Sequence, residues 1–460
     1  MLNLDDIKRL HFTGIGGISM SSLAKLMILY QKTITGSDLV YSDEIAILNQ
    51  WGAHISIGYD LELVRSADLL VYTQAIKDDN LELTYARDHN IPHITRSKFL
   101  ALISTGFDKT IAVAGTHGKT TVTGMISHVL LQANTTFTAH LGGHLKGDLG
   151  NLLYKGHSFF LTEACEYERA FLDLKPDIVL LLDVEFDHPD SYPDINSVYQ
   201  AFDRFIIGIK NGGTLLINAN SQYFLYKTHL TGISSFPNSI RILTYGDSPN
   251  MDYSVCNPAL NSDACYSARL VSSESTLFAR LNIPGHYNLY NALACFSICK
   301  TLGIPNEIIK AGIESFPGIK RRFQNIQTTN GASVFIDYAH HPTEIRAVLE
   351  TAVTLRRDRV ICVFQPHTYS RTKSLLLDFV ASFSDADLVY IFKEFPAREV
   401  ESDGLPAFSL YEHVKESGKK TFYFANLLNL ASHISELLRP DDLLVILGAG
   451  DIDMLAKLLF

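Results

Sequence analysis

A lysine and a threonine directly behind a glycine-bracketed turn are the groups in this chain best suited to hold a nucleotide phosphate. They close the run Thr110-Ile111-Ala112-Val113-Ala114-Gly115-Thr116-His117-Gly118-Lys119-Thr120-Thr121. An apolar, β-prone stretch feeds the turn, and Lys119-Thr120-Thr121 opens a helical pattern, so backbone N–H groups and a helix N-terminus face a phosphate. Lys119 supplies a point charge for the terminal phosphates, and the Thr120 hydroxyl suits the accompanying Mg²⁺. The Walker A pattern places a glycine where this chain has Val113, so the loop is a shortened one. A Gly-x-x-Gly turn alone is ordinary punctuation. The strand before it and Lys-Thr after it turn the reading to phosphate.

Further groups of the right type stand at the ends of other β-prone runs. Gly14-Ile15-Gly16-Gly17-Ile18-Ser19 follows Arg9–Thr13, with Asp38 closing the next run. This is a G-x-G-x-x-G fingerprint with serine in the third place; it suits a diphosphate, with a carboxylate reaching a ribose hydroxyl. A glycine-rich turn with no ligand is the plain alternative. Glu163-Ala164-Cys165-Glu166 follows Phe159–Thr162, and Asp187-His188 follows Ile178–Leu182. If those strands neighbour the phosphate-loop strand, Glu163 and His188 share its edge. A carboxylate there holds Mg²⁺; histidine is a less usual ligand for so hard a cation, and a helix-capping acid and an edge histidine are the alternatives. Asn288 and Asn291 share one helical face, either capping the helix or meeting a purine edge. Asp337-Tyr338-Ala339-His340-His341-Pro342, Gln365-Pro366-His367 and Gly448-Ala449-Gly450-Asp451 each follow an apolar run. Asp337 and His341-Pro342 could merely start helices, but three polar strand ends together fit the ligand edge of an open parallel sheet.

These groups need α/β scaffolding, and the chain alternates strands and helices throughout. Expected strands are Arg9–Thr13, Thr33–Thr35, His54–Ile57, Leu69–Tyr72, Pro92–Thr95, Phe159–Thr162, Ile178–Leu182 and Thr214–Asn218, then runs at 334–336, 360–364 and 443–447. The Ser-, Asn-, Pro- and Gly-rich stretch 231–275 reads as irregular or hairpin structure. A length of 460 residues predicts about three domains. Turn-prone patches at Ser104–Asp108 and Phe316-Pro317-Gly318 set their expected bounds at 1–106, 107–318 and 319–460.

Hydrophobic content of 47% with 19% charged residues describes a soluble globular chain. No apolar run reaches the ~18 residues of a membrane span, and Met-Leu-Asn-Leu-Asp-Asp lacks a signal peptide's basic start and apolar core; the cytoplasm is the expected location. A net charge of −10 argues against a nucleic-acid partner. The 6 cysteines form no C-x-x-C pair, which fits free thiols in a reducing compartment rather than disulfides or zinc.

Taken in order, the shortened phosphate loop, Glu163-Ala164-Cys165-Glu166-Tyr167, Asp187-His188, Gly285-His286-x-Asn288-x-x-Asn291, Asp337-Tyr338-Ala339-His340-His341-Pro342-Thr343-Glu344 and Phe364-Gln365-Pro366-His367, with Gly14-Ile15-Gly16-Gly17 in front, resemble the Mur ligases of peptidoglycan synthesis. Within them the chain is similar to the alanine-adding branch. Each motif is modest, and their ordered combination over essentially the whole chain is specific. The resemblance implies an N-terminal Rossmann-like domain for a UDP-sugar, a central P-loop ATPase-type α/β domain and a C-terminal Rossmann-like domain for an amino acid. It also implies the substrates ATP, UDP-N-acetylmuramate and L-alanine, and a Mg²⁺ cofactor, with Mn²⁺ as an alternative. The lactyl carboxylate would take the γ-phosphate of ATP to give an acyl phosphate, which the alanine amine then attacks.

By the same resemblance Gly14, Gly16, Gly17, Ile18 and Asp38 meet the UDP-sugar. Gly115, Thr116, His117, Gly118, Lys119, Thr120, Thr121, His286, Asn291, Arg322 and Asp337 meet ATP, with His286 and Asn291 at adenine and Asp337 at ribose. Thr120, Glu163 and His188 are the metal set. Tyr338, His340 and Arg371 form the amino-acid end, Arg371 taking the alanine carboxylate. Lys119, Glu163, His188 and His340 carry the chemistry. Three positions depart from the family pattern: Ser19 for glycine, tolerable if the helix packs slightly farther from its strand; Thr368 for a frequent arginine; and Asp183 for a frequent asparagine. The rival readings are a Mur-type ligase that attaches recycled tripeptide, a dinucleotide-dependent oxidoreductase resting on the Gly14 loop, and a non-catalytic nucleotide-binding regulator. The oxidoreductase leaves the Lys119 loop unexplained, and the regulator leaves the C-terminal strand ends idle.

Overall fold

Apolar runs of four to six residues closed by glycine or a polar group become parallel strands here, the kind of run that parallel sheets bury on both faces. The computed structural model describes residues 3–147, 149–229, 232–326, 331–397, 399 and 406–459. The chain forms two compact units. The first comprises Met1–Val184, Tyr199–Tyr245 and Ser297–Gly312; the second comprises Glu185–Val198, Gly246–Phe296 and Ile313–Phe460.

The first unit opens with five parallel strands, β1 (Arg9–Thr13), β2 (Thr33–Asp38), β3 (His54–Ile57), β4 (Leu69–Tyr72) and β5 (His93–Thr95), in the order β3-β2-β1-β4-β5. The expected bounds of three of these strands match the observed ones. The second strand runs on through Gly36-Ser37-Asp38, because β1 and β3 flank it and pair with those residues as well. The same unit contains β6 (Lys109–Ala114), β7 (Phe137–Leu145), β8 (Gly150–Tyr154), β9 (Phe159–Glu163), β10 (Ile178–Leu181), β11 (Thr214–Asn218) and β12 (Arg241–Gly246), ordered β12-β11-β10-β6-β9-β7-β8. Only the β7–β8 pair is antiparallel. β6 lies between β10 and β9, with Val113 opposite Glu163, so the phosphate-loop strand sits inside the sheet. Ile111 to Ala114 are fully buried, which explains why that strand reads as an unbroken apolar run.

The second unit holds an antiparallel meander, β13 (Tyr253–Leu260), β14 (Cys265–Ser272) and β15 (Thr276–Pro284). Its first two strands fall in the stretch read as irregular or hairpin. The rest is a sheet of β16 (Gln324–Ile326), β17 (Ser333–Asp337), β18 (Arg359–Phe364), β19 (Leu388–Phe392), β20 (Lys420–Phe424) and β21 (Asp442–Leu447), ordered β16-β17-β21-β18-β19-β20. Side chains alternate across it. Val334, Ile336, Ile361, Val363, Leu444 and Ile446 face a core closed by Leu430, Ala431 and Ile434 of the helix Leu427–Leu437. Phe335, Cys362, Phe364, Val445 and Leu447 face a second core, closed by Ile345, Val348, Leu349 and Ala352 of the helix Pro342–Thr354. That spacing is one face of a helix. β17, β21 and β18 therefore end together and deliver Asp337, Gly448 and Gln365 to one edge. No helix among the described residues is long and apolar enough to cross a membrane.

Candidate functional site

In the first unit the phosphate loop turns at two glycines that no other residue replaces cheaply. Gly118 caps the helix Lys119–Gln132 with φ +81°, a left-handed conformation. Gly115 has φ +133°, and a Cβ there would lie 2.8 Å from the Asp183 carbonyl. That carbonyl accepts the Thr116 N–H at 2.7 Å. The Thr120 hydroxyl donates to a Glu163 carboxylate oxygen at 2.9 Å, and the Gly142 N–H donates to the other at 2.6 Å. A hydroxyl and a carboxylate side by side are the hard oxygen donors that Mg²⁺ favours. The Lys119 side chain is 15% exposed and pairs with Glu166 at 2.9 Å. Its Nζ also donates to the Gly115 and Thr116 carbonyls. Burial works against the ammonium, but Glu166 and its neighbours outweigh it and raise its pKa. His117 and Thr121 lie in the turn and the first helical turn, with Thr116, Thr120 and Thr121 buried.

The same unit carries the Gly14 loop. The Gly14 and Ile15 N–H groups donate to the Ser37 carbonyl, and Gly16 N–H donates to Asp38 Oδ2 at 2.9 Å. Gly17 caps the helix Ile18–Leu29 with no side-chain cap. The serine in the third glycine place has a use of its own, beyond a wider helix–strand spacing. Ser19 Oγ lies 2.8 Å from His140 Nε2 on β7 and accepts from Arg96 at 3.1 Å.

In the second unit, buried Asp337 accepts N–H bonds from Phe323 at 2.6 Å and Ala339 at 2.7 Å. Burial raises its pKa to about 6, against the pull of Arg322. Tyr338 lies under both Arg321 and Arg322, whose guanidinium carbons stand 5.0 Å and 5.2 Å from its ring centre. His340 places Nδ1 3.0 Å from the Tyr338 carbonyl and 3.4 Å from Glu344. Burial lowers its pKa to about 4 although Glu344 favours the charged form, so the ring is neutral near pH 7. His341 caps the helix Pro342–Thr354, with proline at its start. That part of the motif does begin a helix, while Asp337 does not.

Arg371 is 3% exposed and donates from Nε to Asp187 Oδ1 at 2.7 Å. It also bonds the His367 carbonyl at 3.1 Å and approaches His188 Nδ1 at 3.5 Å. Burial opposes the Asp187 carboxylate, yet His188 and Arg371 hold its pKa well below the usual range. His188 has φ +55°, which turns it back toward Asp187, 3.7 Å away. Thr368 has φ +67° and accepts no charge-bearing role; its N–H binds the Phe395 carbonyl.

The adenine candidates divide. Asn291 donates to Asn288 at 2.8 Å, and Asn288 to the Pro284 carbonyl at 2.5 Å. His286 is exposed against Tyr266 and Tyr290. Its neighbour Tyr287 is the side chain that feels Asp337 and Arg322, so this loop and the Asp337 edge come together. Glu166, Glu344 and Tyr287 stand in the quoted motifs but were not read as site contacts; Glu166 meets Lys119, 47 positions earlier, while Glu344 accepts the His340 N–H only four positions away. Arg96 carries no motif.

The family model described as Mur ligase family, catalytic domain, matches residues 9–108. Mur ligase middle domain matches residues 113–299, and Mur ligase, glutamate ligase domain, matches residues 321–450. The chain is 38% identical over 449 residues to the UDP-N-acetylmuramate–L-alanine ligase of Clostridium tetani, covering 97% of this chain and 96% of that one. It is 38% identical over 445 residues to the enzyme of that name from Agathobacter rectalis, covering 96% and 95%. Among solved structures, the UDP-N-acetylmuramate–alanine ligase MurC of Thermotoga maritima superposes with a TM-score of 0.82 at 25% identity over 98% of each chain. A murein peptide ligase of Psychrobacter arcticus shares the fold, with a TM-score of 0.73 at 23% identity and 98% coverage of each chain.

Proposed function

The chain belongs to the Mur ligase family, and from that premise we infer that it joins L-alanine to the lactyl carboxylate of UDP-N-acetylmuramate at the expense of ATP. It has the three-domain α/β fold of that family, and its products are UDP-N-acetylmuramoyl-L-alanine, ADP and phosphate. The lactyl carboxylate oxygen attacks the γ-phosphorus, ADP leaves, and an acyl phosphate forms. The alanine nitrogen then attacks the acyl carbon and phosphate leaves with its electron pair. Such transfer needs positioning and charge neutralisation more than covalent help from the protein.

Our assignment of roles follows the local geometry. Lys119 neutralises the transferring phosphate after exchanging Glu166 for it. Thr120 and Glu163 would hold Mg²⁺, which when bound draws charge from the phosphate oxygens; the family resemblance gives His188 the same role. Asp337, with both oxygens fixed by N–H bonds, takes the ATP ribose beside Arg322, and Asn291 takes the adenine. His340 uses Nδ1–H on the Tyr338 carbonyl, which leaves the Nε2 lone pair to receive the alanine amine. Arg371 takes the alanine carboxylate through the part of its guanidinium that Asp187 leaves over. The Gly14–Ile18 loop and Asp38 hold the UDP-sugar. These residues would act in the cytoplasm, where UDP-activated sugars and ATP are at hand.

The observation that carries the reading is the Thr120–Glu163 pair beside Lys119 at the head of a buried parallel strand. The nearest rival attaches a tripeptide to the same UDP-sugar. Turnover with L-alanine alone against L-alanyl-γ-D-glutamyl-meso-diaminopimelate alone separates them. Efficient use of alanine is expected, and a preference for the tripeptide would overturn the assignment.

A further inference from the structure

The carboxyl edge of the N-terminal sheet holds a cation that the roles above leave unused. The order β3-β2-β1-β4-β5 reverses direction between β1 and β4, and ligands of open parallel sheets lie in the crevice beyond that switch point. The Gly14–Gly17 loop forms one wall. On the other side β5 ends at Thr95, and Arg96 opens the helix Arg96–Ser104. The two walls meet where Arg96 Nη1 donates to Ser19 Oγ at 3.1 Å.

Ser19 is in turn fixed by the neighbouring sheet. Its hydroxyl lies 2.8 Å from His140 Nε2, and His140 Nδ1 lies 3.0 Å from Thr162 Oγ1, one residue before Glu163. One set of donors satisfies all three bonds: Arg96 N–H to Ser19, Ser19 O–H to His140, His140 N–H to Thr162. It requires a neutral imidazole, and burial, reinforced by Arg96, lowers the His140 pKa to about 3. The half-buried guanidinium has five N–H donors, and Ser19 fixes its plane by taking one. Among the described residues Arg96 forms no ion pair with a carboxylate. The helix it opens packs against Tyr167–Asp173, directly after Glu163-Ala164-Cys165-Glu166.

We propose that Arg96 binds the diphosphate of UDP-N-acetylmuramate and that Ser19 and His140 orient it for that task. The inference rests on the UDP-sugar reading above and adds the residue that neutralises its charge. The diphosphate is favoured over the lactyl carboxylate because Ser19 lies in the first turn of the helix that follows the Gly14 loop. It also gives the serine in the third glycine place a purpose, since glycine could not hold the guanidinium.

Calorimetric titration of the full chain with UDP-N-acetylmuramate, UDP-N-acetylglucosamine and uridine tests this, because the second lacks the lactyl group and the third lacks the diphosphate. Arg96→Ala should weaken the first two alike, roughly 10- to 100-fold, the loss of a charged hydrogen bond. Uridine and ATP affinities should hold. Arg96→Lys should recover part of the loss and Ser19→Ala should show a smaller one. Unchanged UDP-N-acetylglucosamine affinity overturns the proposal. So does a loss confined to UDP-N-acetylmuramate, which would give Arg96 the lactyl carboxylate, and so does an equal loss for ATP with a lowered melting temperature, which would make it structural. Failure of the wild-type chain to turn over UDP-N-acetylmuramate with alanine would instead refute the functional reading.

Discussion

Removing Arg371 should damage the protein twice, and the two losses can be separated. Arg371 and Asp187 side chains are 3% and 7% exposed and meet at 2.7 Å. Truncation to alanine leaves the largely buried Asp187 carboxylate without its guanidinium. Breaking a buried pair from one side costs about 3–5 kcal/mol, a large share of the ~5–15 kcal/mol that holds a domain together. For a unit of this size that is a fall of roughly 10 °C in melting temperature. Asp187→Ala/Arg371→Ala should melt higher than Arg371→Ala, since no charge is left unpaired. If Arg371 also holds the alanine carboxylate, its loss removes a charged hydrogen bond of about 1.5–3 kcal/mol, so the KM for alanine rises roughly 10- to 100-fold while that for ATP stays near wild type. Calorimetry and steady-state kinetics on the three proteins read both numbers. A variant that melts like wild type refutes the buried strut. A melting loss with unchanged alanine KM refutes the carboxylate role and leaves Arg371 a structural residue.

Lys119→Ala should lower kcat by about 10²–10³-fold, equivalent to ~3–4 kcal/mol of charge stabilisation, as read by ADP release; retention of most activity would mean the loop is misread. Gly142→Ala places a Cβ 2.8–2.9 Å from both Glu163 oxygens, so it should displace that carboxylate and cut turnover with little change in melting temperature, Gly142 being exposed; wild-type turnover would remove Glu163 from the site. Asp337 has its pKa raised from 3.8 to about 6, so its favourable contribution is complete below pH 4 and is lost as pH rises through about 6, a swing of up to ~3 kcal/mol. His140 and His340, with lowered pKa values, act oppositely as pH falls below 6.5. The difference between Asp337→Asn and wild type isolates Asp337. The variant's melting temperature should gain on wild type between pH 4 and 6.5, and a flat difference would contradict its burial as an acid.

The strands that carry the site were legible because each is an apolar run closed by glycine or a polar group, and parallel sheets bury such runs on both faces; β7, β8, β12, β16, β19 and β20 were not named from the sequence. The phosphate loop was legible because its glycines, lysine and threonine are contiguous. What stayed hidden depends on contacts between distant positions. Nothing contiguous names Glu166 as the partner of Lys119, and an acid beside Arg371 was conceivable without its identity, Asp187, 184 positions earlier, being readable. Ser19 read as a tolerated departure, although its hydroxyl joins β7 to Arg96. His286 and Asn291 match the adenine positions by motif, and nothing in the sequence shows that Tyr287 between them meets Asp337.

The central claim is that ATP is spent only to make one amide bond. Purified protein with ATP and Mg²⁺ should release ADP only when UDP-N-acetylmuramate and L-alanine are both present, one ADP for each UDP-N-acetylmuramoyl-L-alanine identified by mass. Phosphate release at the same rate without either co-substrate, or a sugar nucleotide returned without added alanine, would contradict it.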